Sequence, residues 1–109
     1  MIRLVLFAAV IGAGGHAAAE NEDIKSQAQK LGLTIGQSYI CLDGEARETL
    51  KLDAQIIFDM IIKDAGSDIA FSYATSTGFG AAKPKEEVDC AKLAETLVKI
   101  RENFDLGEE

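Results

Sequence analysis

The feature that most constrains the fold is an apolar stripe that recurs at steps of three and four residues between positions 35 and 65. This spacing places side chains on one face of an α-helix and is typical of an amphipathic helix. Gly44 interrupts the stripe, and glycine costs about 1 kcal/mol relative to alanine inside a helix. The sequence therefore predicts either one helix that is kinked near residues 42–44 or two helices that meet there. The residues of the stripe are Ile35, Tyr39, Leu42, Ala46, Leu50, Ala54, Ile57, Ile61 and Ala65.

Capping residues and glycines predict where the neighbouring helices begin and end. A short first helix is expected from Glu22 to Leu31, with Asn21 as its cap and Gly32 at its end. Residues 34–37 (Thr-Ile-Gly-Gln) fit a capping box, which predicts the start of the long helical segment. Gly66 follows the last residue of the stripe and is expected to stop it.

Residues 67–83 are expected to form a short helix followed by a loop. Ser67 or Asp68 can cap a helix that runs through Ala74, while the alternation in residues 71–75 also fits a strand. A single strand would have no partner elsewhere in the chain, and this favours the helix. The glycines and hydroxyl residues of positions 75–83 predict a loop.

The last helix is expected to begin at Pro84, which suits a first helical turn, and to end at Gly107. Its apolar face comprises Val88, Cys90, Leu93, Leu97, Ile100 and Phe104. Taken together, these segments predict an all-α fold, a small bundle of three or four helices. Residues 20–109 carry no internal repeat and no linker, so we expect a single domain.

Residues 1–19 have the features of a cleaved signal peptide. One cation, Arg3, precedes an uncharged stretch, and small residues occupy positions 17 and 19. The predicted cleavage lies between Ala19 and Glu20, and the predicted location is the periplasm, with secretion as the alternative. The apolar run is shorter than the roughly 20 residues that span a bilayer, so no stable membrane anchor is expected after cleavage.

Cleavage would change the chemistry available to the chain. The formal charge would move from −7 to −8, since Arg3 is lost and no acid is lost with it. The only histidine, His16, would also be removed. A domain without histidine lacks the usual base of nucleophilic catalysis and the commonest metal ligand. We therefore expect no catalysis, no metal and no cofactor, and the acidic balance argues against nucleic acid and anionic membrane surfaces as partners.

The two cysteines, Cys41 and Cys90, are separated by 49 positions. In an oxidising compartment, an even pair in a small domain predicts a disulfide. Two free thiols or a bridge between chains are the alternatives. An internal bond would staple the long helical segment to the last helix, leaving residues 57–62 to pack against residues 97–104.

Three groups of residues resemble sites, and each has a simpler interpretation. The glycines around Phe79 lack the spacing of a phosphate-binding loop, and we interpret them as a loop tip with Phe79 tucked into the core. The acidic residues between 43 and 53 are expected to spread over a solvated helix face. Core packing explains the aromatic residues, but Phe71, Tyr73 and Phe79 would mark a protein-binding patch if they were exposed together.

The layout resembles that of the periplasmic acid-stress chaperones of the HdeA and HdeB family. Residues 39–43 (Tyr-Ile-Cys-Leu-Asp) open the bridged unit, an apolar helix covers residues 54–62, and Cys90 lies near the final helix. The likeness covers most of residues 38–105 at the level of layout. It implies a folded, inactive dimer at neutral pH that loosens in acid and shields unfolded clients.

The sequence thus leads to two hypotheses about function. In the first, the protein is an exported interaction module, such as an inhibitor or immunity protein, with one specific protein partner. In the second, it is an acid-stress chaperone with many clients. Homodimer formation is compatible with both hypotheses.

Overall fold

A computed structural model describes residues 17–106, with side chains from Glu22 onwards, and this part of the chain forms four α-helices. The central helix, Ala17–Cys41 (α1), contacts each of the other three helices. The predicted all-α bundle is therefore confirmed. The proposed signal peptide stays a prediction, because residues 1–16 lie outside the described part. The helices are α1 (Ala17–Cys41), α2 (Gly44–Ala65), α3 (Ser67–Ala81) and α4 (Cys90–Asn103), with a short 3-10 helix at Lys85–Glu87.

The break in the apolar stripe separates two helices, which is one of the two predicted outcomes. Gly44 has a φ of 58°, a left-handed value that most residues avoid, and the chain turns there from α1 into α2. The Nε of Arg47 donates a hydrogen bond of 3.1 Å to the backbone carbonyl of Tyr39. The guanidinium of Arg47 also lies 4.2 Å from the centre of the Tyr39 ring. Arg47 thus satisfies one of the carbonyls at the end of α1 and holds the corner together.

The prediction of a separate first helix that ends at Gly32 is wrong. The chain passes through Gly32 and Gly36 as one continuous helix as far as Cys41. Thr34 is therefore not a cap, and its hydroxyl instead donates to the carbonyl of Lys30, one turn back along the same helix.

Close packing of α1 against α3 explains why these glycines lie inside a helix. A Cβ built on Gly36 would overlap the carbonyl oxygen of Thr77, and one built on Gly32 would overlap that of Tyr73. From the other side, a Cβ on Gly80 would overlap the carbonyl oxygen of Leu33. The glycines let the two backbones touch, and the contact outweighs the cost of glycine within a helix.

The predicted loop over residues 75–83 is also wrong for most of its length. Helix α3 continues to Ala81, so Gly78, Phe79 and Gly80 are helical. A single residue, Gly66, separates α3 from α2, as the sequence predicted for the end of α2. The φ of Gly66 is 97°, and its amide donates to two carbonyls of the last turn of α2.

The core lies between α1, α2 and α3 and is completed by the C-terminal end of α4. Its largest fully buried side chains are Tyr73, Ile35, Ile57 and Ile61. Ile100 of α4 and Phe104, which follows that helix, join the same cluster. Ile56 and Ile62 are exposed, so the second half of α2 is buried on one side only.

Helix α4 begins at Cys90, later than the expected start at Pro84. The side chain of Asp89 caps it by accepting a hydrogen bond of 3.1 Å from the amide of Lys92. The helix ends at Asn103, where Asp105 adopts a φ of 62° and the amide of Leu106 donates to the carbonyl of Arg101. Gly107, the expected stop, lies outside the described residues.

Candidate functional site

The two cysteines form the predicted internal disulfide. The sulfur atoms of Cys41 and Cys90 lie 2.06 Å apart, and the two Cα atoms are 5.6 Å apart. The bond joins the last residue of α1 to the first residue of α4. Its place in the fold is that of a structural link between two helices.

The acidic residues between 43 and 53 do not all lie on a solvated surface. Glu48 forms an exposed ion pair of 3.2 Å with Lys51 within α2. Asp53, in contrast, is buried and accepts two hydrogen bonds from Arg101 of α4, at 2.7 and 3.3 Å. This bidentate pair ties α2 to α4, and the sequence interpretation missed it because the two partners are 48 residues apart.

Tyr73 does not belong to an exposed patch. It is 2% exposed and stacks on Phe58, with ring centres 6.5 Å apart. Its hydroxyl donates a hydrogen bond of 3.0 Å to the carbonyl of Ala54 in α2. Burial, and to a lesser extent the negative charge of Asp53, raises the pKa of Tyr73 well above its ordinary value. Tyr73 is therefore a neutral core residue that joins α3 to α2.

Phe71 and Phe79 point outward, 72% and 66% exposed. The expectation that Phe79 is tucked into the core is wrong. Its position on a helix, rather than at a loop tip, accounts for the difference. Steps of four, three and four residues from Phe71 define one stripe on the side of α3 opposite Tyr73. We call the stripe and its exposed flanks the outer face of α3, which comprises Phe71, Ala74, Thr75, Gly78, Phe79 and Ala82.

The outer face of α3 is uncharged throughout, since residues 69–82 contain no acidic or basic side chain. The rest of the chain is rich in charge, with 18 acidic and 11 basic residues. Two exposed phenylalanines on such a face are unusual for a protein surface in contact with water. Apolar surface of this kind commonly marks a place where another molecule binds.

A groove of about 240 Å³ lies beside the outer face, where α3 meets α1 and α2. Gly78 and Ala81 form its α3 wall together with Thr77, and the small size of these side chains leaves it open. A Cβ added to Gly78 would meet no atom within 4 Å, so the space beside it is free. We call this space the α3 groove. The remaining lining residues are Ile35, Tyr39, Leu50, Lys51 and Ala54.

Neither a metal centre nor a membrane span is found in the part of the chain that the structure describes. Over residues 17–106, no three histidine, cysteine or acidic side chains converge as metal ligands would. None of the helices in that range is both long and apolar enough to cross a bilayer.

The fold and this surface define a disulfide-linked helical bundle with an exposed apolar face on α3. No family model, curated protein or solved structure matches the chain.

Proposed function

We propose that this protein is an exported, non-catalytic interaction module that binds another protein through the outer face of α3. The observation that carries the proposal is the exposure of Phe71 and Phe79 on a helix face without charge. Aromatic residues are enriched where proteins bind one another, because each removes a large apolar area from water.

The α3 groove supports the same function. Its wall is apolar, and its opening adjoins the outer face at Gly78. A bulky apolar side chain of a partner could enter it while the partner's backbone lies along α3. Such a knob in a preformed pocket is the usual anchor of a helix-in-groove complex.

Site-specific photocrosslinking in the native host tests the proposal. A benzoylphenylalanine at position 79 should give discrete adducts with one or two polypeptides, and the same probe at Leu52 should give none. Leu52 is a matched control because it is also an exposed apolar residue, 60% exposed, but lies on α2 among charged neighbours. Equal crosslinking from both positions, or none from position 79, would contradict the proposed binding face.

The alternative function, an acid-stress chaperone, predicts a different result. A chaperone would crosslink to many polypeptides in acid and would suppress the light scattering of an aggregating client at low pH. An interaction module should leave that scattering unchanged. The two assays together separate one defined partner from many clients.

A further inference from the structure

We infer that a second copy of this chain binds the outer face of α3, in an antiparallel pair in which Phe71 of each copy enters the α3 groove of the other. The inference deepens the proposed function and rests on it, since it names the partner of the same face. It rests on the positions of Phe71 and of the α3 groove along the axis of α3.

Phe71 and the α3 groove lie on opposite sides of Thr75 along the helix axis, and Thr75 is an exposed residue on the outer face. Phe71 lies four residues before Thr75, which is about 6 Å along the helix axis. The residues of α3 that line the groove, at positions 77, 78 and 81, lie about 3 to 9 Å beyond it. A two-fold axis through Thr75 would therefore place each Phe71 level with the groove of the other copy.

The shapes of the two features also fit. The phenyl group of Phe71 projects into solvent, and the groove offers about 240 Å³ beside Gly78. Small residues around the axis, Ala74, Thr75 and Gly78, let two helices approach closely. Because the axis relates the same patch on both copies, the contact closes on itself and leaves no free end for further growth.

Charge favours this arrangement over other contacts between copies. The chain has a formal charge of −7, so two copies repel one another over most of their surfaces. The outer face of α3 carries no charge of its own, so contact there is less opposed by repulsion, and Glu22, Lys25 and Asp68 lie in the pocket beside Phe71.

The area of the face predicts a weak dimer. With 72% and 66% exposure, the four phenylalanines of a pair would bury about 500 Å². The small residues and the groove walls would bring the total to roughly 1,000 Å², which is near the lower end for specific interfaces. We therefore expect reversible dimerisation in the micromolar range or weaker.

Sedimentation equilibrium of the purified protein, from low-micromolar to millimolar concentration, tests the inference. The apparent mass should rise towards that of a dimer. Phe71→Ala and Gly78→Leu should each weaken dimerisation by roughly a hundredfold, because each change affects two symmetry-related contacts. Leu52→Ala should leave it unchanged. Thermal unfolding of each variant shows that it is folded.

Mixing two defective variants gives a sharper test of the reciprocal fit. A pair made of one Phe71→Ala copy and one Gly78→Leu copy retains one intact phenylalanine opposite one intact groove. The mixture should therefore dimerise more strongly than either variant alone. A mixture that associates no better than its components would overturn the reciprocal insertion.

A cysteine at the axis tests the symmetry directly. Thr75→Cys should form a disulfide between copies under mild oxidation, whereas Gln55→Cys, an exposed position on α2, should not. A protein that stays monomeric and fails to crosslink at position 75 would overturn the inference. If such a protein still gave a discrete adduct with another polypeptide from position 79, the proposed function would stand without it.

Discussion

Asp53 is the only carboxylate that is buried among the described residues, and it forms an ion pair with Arg101. The side chain of Asp53 is 8% exposed and that of Arg101 is 32% exposed. Breaking a buried ion pair by removing one member leaves a charge without compensation, and the penalty exceeds the net value of the intact pair. The pair links α2 to α4, and the loss of either member alone should destabilise the protein.

We predict that Arg101→Met lowers the free energy of unfolding by about 2–3 kcal/mol, with partial exposure of Arg101 reducing the full penalty. The double variant Asp53→Leu with Arg101→Met should recover most of this loss, since no charge is then left unpaired. Urea denaturation at neutral pH measures each value. The matched control is Lys51→Met in the exposed pair with Glu48, which should change stability by less than about 0.5 kcal/mol. Equal losses of unfolding free energy from Arg101→Met and Lys51→Met would contradict the conclusion that Asp53 and Arg101 form a buried ion pair.

The raised pKa of Tyr73 leads us to predict a loss of stability at alkaline pH. Its folded-state pKa lies above the ordinary value of 10.0, so its contribution is complete below pH 10 and is lost as the pH rises further. The reason is that the unfolded tyrosine ionises first, and its ionisation favours the unfolded state. Tyr73→Phe should cost about 1 kcal/mol at pH 8, where the hydrogen bond to Ala54 is lost.

Urea denaturation of Tyr73→Phe and the unaltered protein from pH 8 to about pH 11 should show the stability difference shrinking above pH 10. The other titrating groups are common to both proteins, so they cancel in the difference. A gap that is constant across this range would show that Tyr73 titrates with the same pKa in both states.

At the scale of helices, two glycines should respond in opposite ways to substitution. Gly36 lies where α1 touches α3, and Gly78 lies on the outer face of α3. We predict that Gly36→Ala destabilises the protein by about 3 kcal/mol, because its Cβ would push on the backbone at Thr77. Gly78→Ala should instead stabilise it by up to about 1 kcal/mol, since alanine favours a helix and its Cβ meets open space. Thermal unfolding of the two variants measures both effects. Similar shifts of the same sign would contradict the close contact between α1 and α3.

The same glycines show how far the sequence could predict the fold. The all-α class, the disulfide and the helix boundaries at Gly44 and Gly66 follow from local periodicity, cysteine count and turn chemistry. The full lengths of α1 and α3 do not, because a glycine that ends a helix and one that permits helix contact have the same local propensity. The four-residue spacing of Ala28, Gly32 and Gly36 was the signal that could have indicated the contact.

The candidate face illustrates the same limit at finer detail. The sequence identifies the aromatic residues Phe71, Tyr73 and Phe79 as candidates for a patch. It could not separate Phe71 from Tyr73, because the alternation in residues 71–75 also fits a strand, which would place both on one face. It could not place Phe79 beside Phe71, because the predicted helix ends before Phe79, whereas the observed α3 extends to Ala81. The groove depends on how α1, α2 and α3 meet, and that arrangement is set by tertiary contacts.

For the whole molecule, the disulfide is one of a few links that hold α4 in the bundle. Ile100 is the only buried residue of α4, and a cavity of about 270 Å³ lies between α4 and α2, lined by Leu97 and Arg101 on the side of α4. The helix is fastened by Cys90 at its start, and by Arg101 and the following Phe104 at its end. Between these two ends its apolar side chains Leu93 and Leu97 are only partly buried.

We predict that reduction of the Cys41–Cys90 bond lowers the free energy of unfolding by about 4 kcal/mol, as chain-entropy models give for a loop of this length. For a domain of this size, the unfolding midpoint should fall by roughly 20 °C. Hydrogen exchange should show where the loss begins: residues 90–103 should exchange first on reduction, while the contact between α1 and α3 stays protected. The double variant Cys41→Ser with Cys90→Ser should have the stability of the reduced protein, and the reductant should not change it. Uniform loss of protection across all four helices would instead mean that α4 and the rest of the bundle unfold as one unit.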